Sequence, residues 1–182
     1  MTSLDDKELL SKLRNAESRN YGFNLLVRKY QQKIYWHIRK MVIDHDDADD
    51  LTQETFIKVH RHIDNFREDS QLYTWIYRIA TNECLNFLNK KKRRFFLPIG
   101  DVANELTSKL EDGNQLSGDQ IQMKLQKALL KLPDKQRLVF NMKYFDEMSY
   151  EDMSEVTKTS VGALKASYHH AVKKVEDYLQ NH

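Results

Sequence analysis

The chain has 182 residues, with 29 Lys+Arg against 27 Asp+Glu and a net charge of +2. Hydrophobic residues make up 40% and charged residues 31%, yet there are only 5 Gly and 2 Pro. So few turn-formers exclude a many-stranded sandwich or barrel. The single Cys84 excludes an intrachain disulfide and any cysteine zinc module, and fits a reducing compartment. No apolar run reaches the ~18 residues of a membrane span, and the opening MTSLDDKELL is not a signal peptide. The expectation is an all-α, cytoplasmic protein of one domain or two small ones, with no membrane insertion.

In chain order, a short helix is expected over about 5–18. Phe23, Leu26, Val27, Tyr30, Ile34 and Ile38 recur every three or four residues and mark a second helix. Phe56, Val59 and Ile63 mark a third, over 48–63. A polar loop, Asn65 to Ser70, follows, with Ser70 as N-cap of a fourth helix over roughly 71–91. That helix carries the stripe Ile76, Ile79, Ala80, Cys84, Phe87 and Leu88. Residues 95–119 hold Pro98, Gly100, Gly113 and Gly118 among Ser, Asn and Asp, the composition of a flexible linker. Beyond it, Ile121, Leu125, Ala128, Leu129 and Leu132 form a helix ending at Pro133. Helices over about 134–145, 150–156 and 161–179 complete the chain. The expected domains are therefore 1–94 and 120–182, joined by the linker 95–119.

The small net charge hides segments of opposite sign. Residues 1–94 hold 18 basic and 14 acidic side chains, residues 95–119 hold 1 and 5, and residues 120–182 hold 10 and 8. Asp44, Asp46, Asp47, Asp49, Asp50 and Glu54 are interrupted by no base. Arg78 and the run Lys90, Lys91, Lys92, Arg93 and Arg94 lie in a stretch whose one acid is Glu83. A solvated helix face accounts for either run alone. Both in one domain point to two partners, a basic protein surface and a polyanion. A calcium loop starting at Asp44 fails, since Asp49 stands where Gly is needed and Thr55 where the bidentate acid belongs.

The C-terminal stretch has the layout of a DNA-binding helix-turn-helix. Ser149 caps a first helix, Thr157-Lys158-Thr159 makes the turn, and Ser160 caps a second helix whose first residues are free for a major groove. Lys158, Lys165, Lys173 and Lys174, with no acid between Val156 and Val175, suit phosphates. His169 and His170 are adjacent, share no face and make a poor metal pair. Neither a metal site nor a cofactor is expected.

The run DDLTQETFIKVHRHIDNFREDSQLYTWIYRIATNECLNFLNKKKRR from Asp49 resembles region 2 of the sigma-70 family of bacterial RNA polymerase sigma factors. It is most similar to the extracytoplasmic function (ECF) group. LQKALLKLPDKQRLVFNMKYFDEMSYEDMSEVTKTSVGALKASYHHAVKKV is similar to region 4 of the same group. The resemblance spans roughly residues 20–178 in the family's order. It implies two helical domains, no catalytic residues, and three partners: core RNA polymerase, promoter DNA and an anti-sigma factor.

Residue by residue, the resemblance implies that Asp49, Asp50, Leu51, Gln53, Glu54 and Phe56 dock on the β′ coiled coil. Spacings of three to five place the acids and Gln53 on one helix face, suited to arginines. The −10 element would be opened and read by the loop with Phe66, Arg67, Asp69 and Ser70 and by the helix after it. Tyr73, Thr74, Tyr77, Arg78, Thr81, Asn82 and Asn86 would face the melted strand, with Lys90, Arg93 and Arg94 on phosphates. Tyr73, Tyr77 and Thr81 lie at i, i+4 and i+8, away from most of the apolar stripe; Trp75 and Ile76 read as core, and for Tyr73 and Tyr77 core packing stands equally open beside strand contact.

The −35 element would meet Lys158, Thr159, Ser160, Val161, Gly162 and Ala163 at the start of the second region 4 helix. Lys165, Ala166, Ser167, His169, His170 and Lys173 follow along it, and region 4 would also bind the β flap. Many members carry arginines at Ser167 and His170, so this chain is expected to grip phosphate less or to read a different −35 sequence; a turn glycine often stands at Lys158, where a left-handed conformation is expected with modest strain. Fully extended, the 25-residue linker reaches up to ~80 Å, enough for two promoter elements. By the same resemblance it occupies the RNA-exit path. The competing readings are a helix-turn-helix regulator acting without polymerase and an inactive partner-binding relative.

Overall fold

A computed structural model describes residues 5–94, 99–113 and 120–182. The expectations resting on Pro98 and Gly118 lie outside the described residues. Among the described residues there is no strand, and every expected helix is present. The N-terminal domain contains α1 (Asp6–Arg14), α2 (Arg19–Val42), α3 (His45–His62), a 3-10 turn (Ile63–Asn65) and α4 (Leu72–Arg94). α5 (Ile99–Gly113) and α6 (Gln120–Leu130) lead into α7 (Asp134–Tyr144), α8 (Tyr150–Thr157) and α9 (Val161–Asn181). No described helix is long and apolar enough to cross a membrane.

Local chemistry sets the elements that position the site. At Gly22 an added Cβ would sit 2.9 Å from Lys12 Cβ, so α1 and α2 approach only because that side chain is missing. α2 gives way to α3 through a tight γ-turn, in which Asp44 N–H donates to Val42 O at 2.8 Å. Ile43 at its centre has φ 68, a strained setting for a β-branched residue, and buries its side chain. Asp44 then caps α3, accepting from Asp47 N–H at 3.0 Å. That hydrogen bond, with Lys109 beside it, holds the Asp44 carboxyl below the usual range.

Two expected boundaries shift. α4 starts at Leu72, and its Trp75 N–H donates to Gln71 O, so Gln71 rather than Ser70 flanks the helix. The segment 95–119, expected to be flexible, carries α5. Its Leu106 is buried, Glu105 pairs with Lys91 at 2.9 Å, and Lys109 pairs with Asp44 at 3.0 Å. Tertiary ion pairs hold a helix that local composition disfavours.

The two domains pack on each other. Leu138, Val139, Met142, Met153, Val156 and Leu164 join the apolar cluster of α1–α4. Burying such a side chain is worth roughly 1.5–3 kcal/mol. Ala128, Leu129, Leu132, Phe140, Ala171 and Val175 form a second, smaller core among α6, α7 and α9.

Candidate polymerase and nucleic-acid interfaces

The acidic run of α3 divides into two sets. Lys109 takes Asp44 at 3.0 Å and Asp47 at 3.8 Å, whereas Asp46, Asp50 and Glu54 form no ion pair among the described residues. Burial raises the Asp47 carboxyl, and the neighbouring Asp44 charge adds to it. Among the described residues Asp49 pairs with His45 alone, at 3.4 Å. Asp50 and Gln53 are exposed and Asp49, Leu51 and Glu54 half-buried, a carboxylate-rich face open to a cationic partner. Phe56 departs from the expectation: it is buried in the core and supports the helix from behind.

Behind α3, the loop before α4 closes a pocket of about 280 Å³ lined by Phe66, Arg67, Asp69, Ser70, Trp75 and Arg78. Phe66 and Trp75 form its apolar wall, ring centroids 5.2 Å apart. Arg14 of α1 holds the loop, donating to Glu68 Oε1 at 2.6 Å and to Phe66 O at 3.0 Å. Glu155 of α8 and Lys158, which caps its end, also line this pocket. Lys158 bonds Glu155 at 2.7 Å and holds its carboxyl below the usual range.

Along α4, Asn82, Asn86, Lys90, Arg93 and Arg94 are exposed and Tyr73 and Arg78 half-buried. Lys90, Arg93 and Arg94 form no ion pair among the described residues, whereas Lys91 and Lys92 bind Glu105 and Asp134. Thr74, Tyr77 and Thr81 depart from the expectation of an open strand-binding face. All three are buried: Tyr77 and Thr81 meet His37 of α2, Tyr77 also meets Asp146 of the loop between α7 and α8, and α8 packs on α4. Trp75 and Ile76 are core, as their pattern predicts.

A polar cluster marks this domain contact. The Tyr77 hydroxyl donates to Asp146 Oδ2 at 2.5 Å, and Lys40 pairs with the other oxygen of Asp146. His37, fully buried, stacks on Tyr77 at 3.8 Å between centroids and bonds Thr81 Oγ1 at 2.9 Å. Its Nδ1 lies 3.8 Å from Asp146 and has no hydrogen-bond partner among the described residues. Burial pushes Tyr77 well above the usual phenol range, with Asp146 adding to it, and pushes Tyr73 up to about 12. Arg137 of α7 donates to Met41 O at the end of α2, 3.0 Å away. Sequence reasoning missed His37, Asp146 and Arg137. The one signal was a histidine set within the apolar stripe of α2.

The helix-turn-helix is built as its sequence predicts. Ser149 accepts from Asp152 N–H at 3.1 Å, and Ser160 from Ala163 N–H at 3.3 Å. Lys158 takes the left-handed conformation, φ 54 and ψ 35, and ends α8. Thr159, Ser160, Gly162, Ala163, Lys165, Ala166, His169, His170 and Lys173 are exposed, and Val161 and Ser167 half-buried. Thr159, Ala163 and Ser167 also line a cleft of about 320 Å³ with Thr81 and Asn82 of α4.

An acidic helix, a cationic helix and a capped helix-turn-helix in that order define a helical transcription factor of two domains. Comparison with known proteins agrees. Residues 26–94 match the model of sigma-70 region 2, and residues 122–175 that of sigma-70 region 4. The chain is 33% identical to the RNA polymerase sigma-H factor of Pseudomonas aeruginosa, covering 99% of this chain and 96% of that protein. It is 28% identical to the ECF RNA polymerase sigma-E factor of Haemophilus influenzae, over 97% of this chain and 96% of that one. Among solved structures, CnrH in complex with the cytosolic domain of CnrY shares its fold. The TM-score is 0.70 at 22% identity, covering 97% of each chain. Sigma factor RpoE in complex with the anti-sigma factor NepR, from Bartonella quintana, has a TM-score of 0.67 at 22% identity. That match covers 87% of this chain and 96% of the other. The chain belongs to the sigma-70 family of RNA polymerase sigma factors, in the ECF group. Members of that family are transcription initiation factors.

Proposed function

We propose that the chain binds core RNA polymerase through the α3 face and directs it to promoters in the cytoplasm, without catalysis of its own. The carrying observation is the set of carboxylates on α3, Asp46, Asp50 and Glu54, that no cation of the described residues neutralises. Asp49, Asp50, Gln53 and Glu54 would meet arginines of the β′ coiled coil, with Leu51 at the margin. The pocket at Phe66–Arg78 would take an unstacked −10 base, and Lys90, Arg93 and Arg94 the strand phosphates. The start of α9 would enter the major groove of the −35 element.

The packed arrangement adds a condition. His37 of α2 holds Tyr77 and Thr81 from within the first domain, so parting of the domains 1–94 and 120–182 would release Tyr77 from Asp146 and uncover the face of α4 under α8. The segment 95–119 would carry that opening, with region 4 moving to the β flap. An anti-sigma partner would act by keeping the domains from this opening.

Transcription from a selected promoter, with core polymerase and this chain as the only factor, tests the reading. Glu54→Lys is expected to abolish promoter-specific transcripts while leaving the fold intact. Full activity of Glu54→Lys would refute it. A regulator acting without polymerase is disfavoured, since it leaves the open carboxylates of α3 without a partner.

A further inference from the structure

Trp36 is 55% exposed on α2, whereas Trp75, the other tryptophan, is 9% exposed. A lone exposed ring needs no explanation, but Trp36 is one end of a continuous strip. Its ring meets that of Tyr35 edge-on, 5.3 Å between centroids at 73°. The Tyr35 hydroxyl bonds His45 Nδ1 at 2.7 Å, and His45 Nε2 lies 3.4 Å from Asp49. The strip therefore runs from the indole on α2, through a fixed phenol and imidazole, to the first acid of the open α3 face. No cation lies over Trp36 among the described residues, since Lys33 sits over Tyr73 and Lys40 over Phe145.

We propose that Trp36, braced by Tyr35 and His45, extends the polymerase-docking face from α3 onto α2 and receives an arginine side chain of core polymerase on its ring. This rests on the polymerase reading above. Charge and chemistry select the occupant. The strip ends among carboxylates, which repel acidic partners and attract basic ones. A guanidinium both stacks on an indole and forks onto a carboxylate, which an ammonium does less well. An arginine-bearing helix laid across α3 would place one guanidinium on Asp49 or Asp50 and another on Trp36. Tryptophan, tyrosine and arginine are the residue types that dominate interface energetics.

The test is competition against labelled wild-type chain for core polymerase, using full-length variants. Trp36→Ala is expected to weaken binding at least about tenfold. Trp36→Phe should recover most of that loss, and Trp36→Lys should bind more weakly than Trp36→Ala. Thermal melting of each free chain separates docking from folding, because the exposed ring should change the melting temperature little. Wild-type binding by Trp36→Ala, alongside lost binding by Glu54→Lys, would overturn the proposal and leave the polymerase reading standing. Wild-type binding by both variants would remove the reading itself. Equal binding by Trp36→Lys and Trp36→Ala would also overturn it, since an arginine partner must sense the added charge.

Discussion

Tyr77 donates its hydroxyl to Asp146 at 2.5 Å, joining residues 69 positions apart and on opposite sides of the domain boundary. The same carboxylate binds Lys40 and lies beside buried His37. A side chain that family likeness assigns to promoter DNA thus holds the two domains together in the free chain.

Replacing Asp146 with Ala should weaken this contact. A hydrogen bond to a charged group contributes about 1.5–3 kcal/mol, and Lys40 would lose its partner. Small-angle scattering should show a larger radius of gyration, and amide exchange should quicken along α8, with helix content unchanged. Scattering and exchange identical to wild type would contradict the assignment.

His37 makes stability depend on pH. Burial lowers its pKa from 6.5 to about 3, opposed by Asp146 and aided by Lys40. Between those values the unfolded chain binds a proton that the folded chain refuses. Stability is therefore intact above about pH 6.5 and falls by roughly 1.4 kcal/mol per pH unit below it. Urea midpoints at pH 7.5 and 5.0 should show a loss of about 2 kcal/mol from this group. His37→Gln, which can keep the bond to Thr81, should lose that component of the slope. An unchanged slope in His37→Gln would assign the effect elsewhere.

His170 is exposed on α9 where many family members carry arginine. Holoenzyme containing His170→Arg should bind its promoter more tightly at low salt. If the new arginine reaches one phosphate, the log–log salt slope should steepen by about 0.9. Filter binding from 50 to 200 mM salt reads this directly. A slope equal to wild type would place position 170 off the backbone.

Arg14 clamps the loop that shapes the pocket in front of α4. Its pair with Glu68 is exposed, so Arg14→Ala should cost the fold only about 0–1 kcal/mol. Promoter opening, followed by permanganate reactivity of thymines, should slow, while affinity for core polymerase stays the same. Equal loss of both would mark a general folding defect.

α2, α3, α4 and α6 were legible because each shows apolar residues at three- and four-residue spacing, and Ser149 and Ser160 cap α8 and α9 as their types dictate. Lys158 in a left-handed turn was legible too, because a turn glycine usually stands there. α5 was not, since Lys109 and Glu105 stabilise it through partners on α3 and α4 that no local pattern encodes. Phe56 was assigned to a surface although its spacing with Val59 and Ile63 already marked a core face. Tyr77 and Thr81 were misplaced for a different reason. Periodicity identifies one packed face, whereas Tyr77 and Thr81 meet a buried histidine of α2 and Tyr77 also meets Asp146, 69 positions away.

Lys109 also bears on kinetics. By holding Asp44 and Asp47 it leaves Asp46, Asp49, Asp50 and Glu54 to project an outward field. The rate at which a basic surface is captured depends on that field, and so on four carboxylates rather than on all six that the sequence displays. Unwinding α5 would unmask the remaining two and accelerate the encounter. Through a single ammonium, α5 would thus set how fast the chain meets a basic partner.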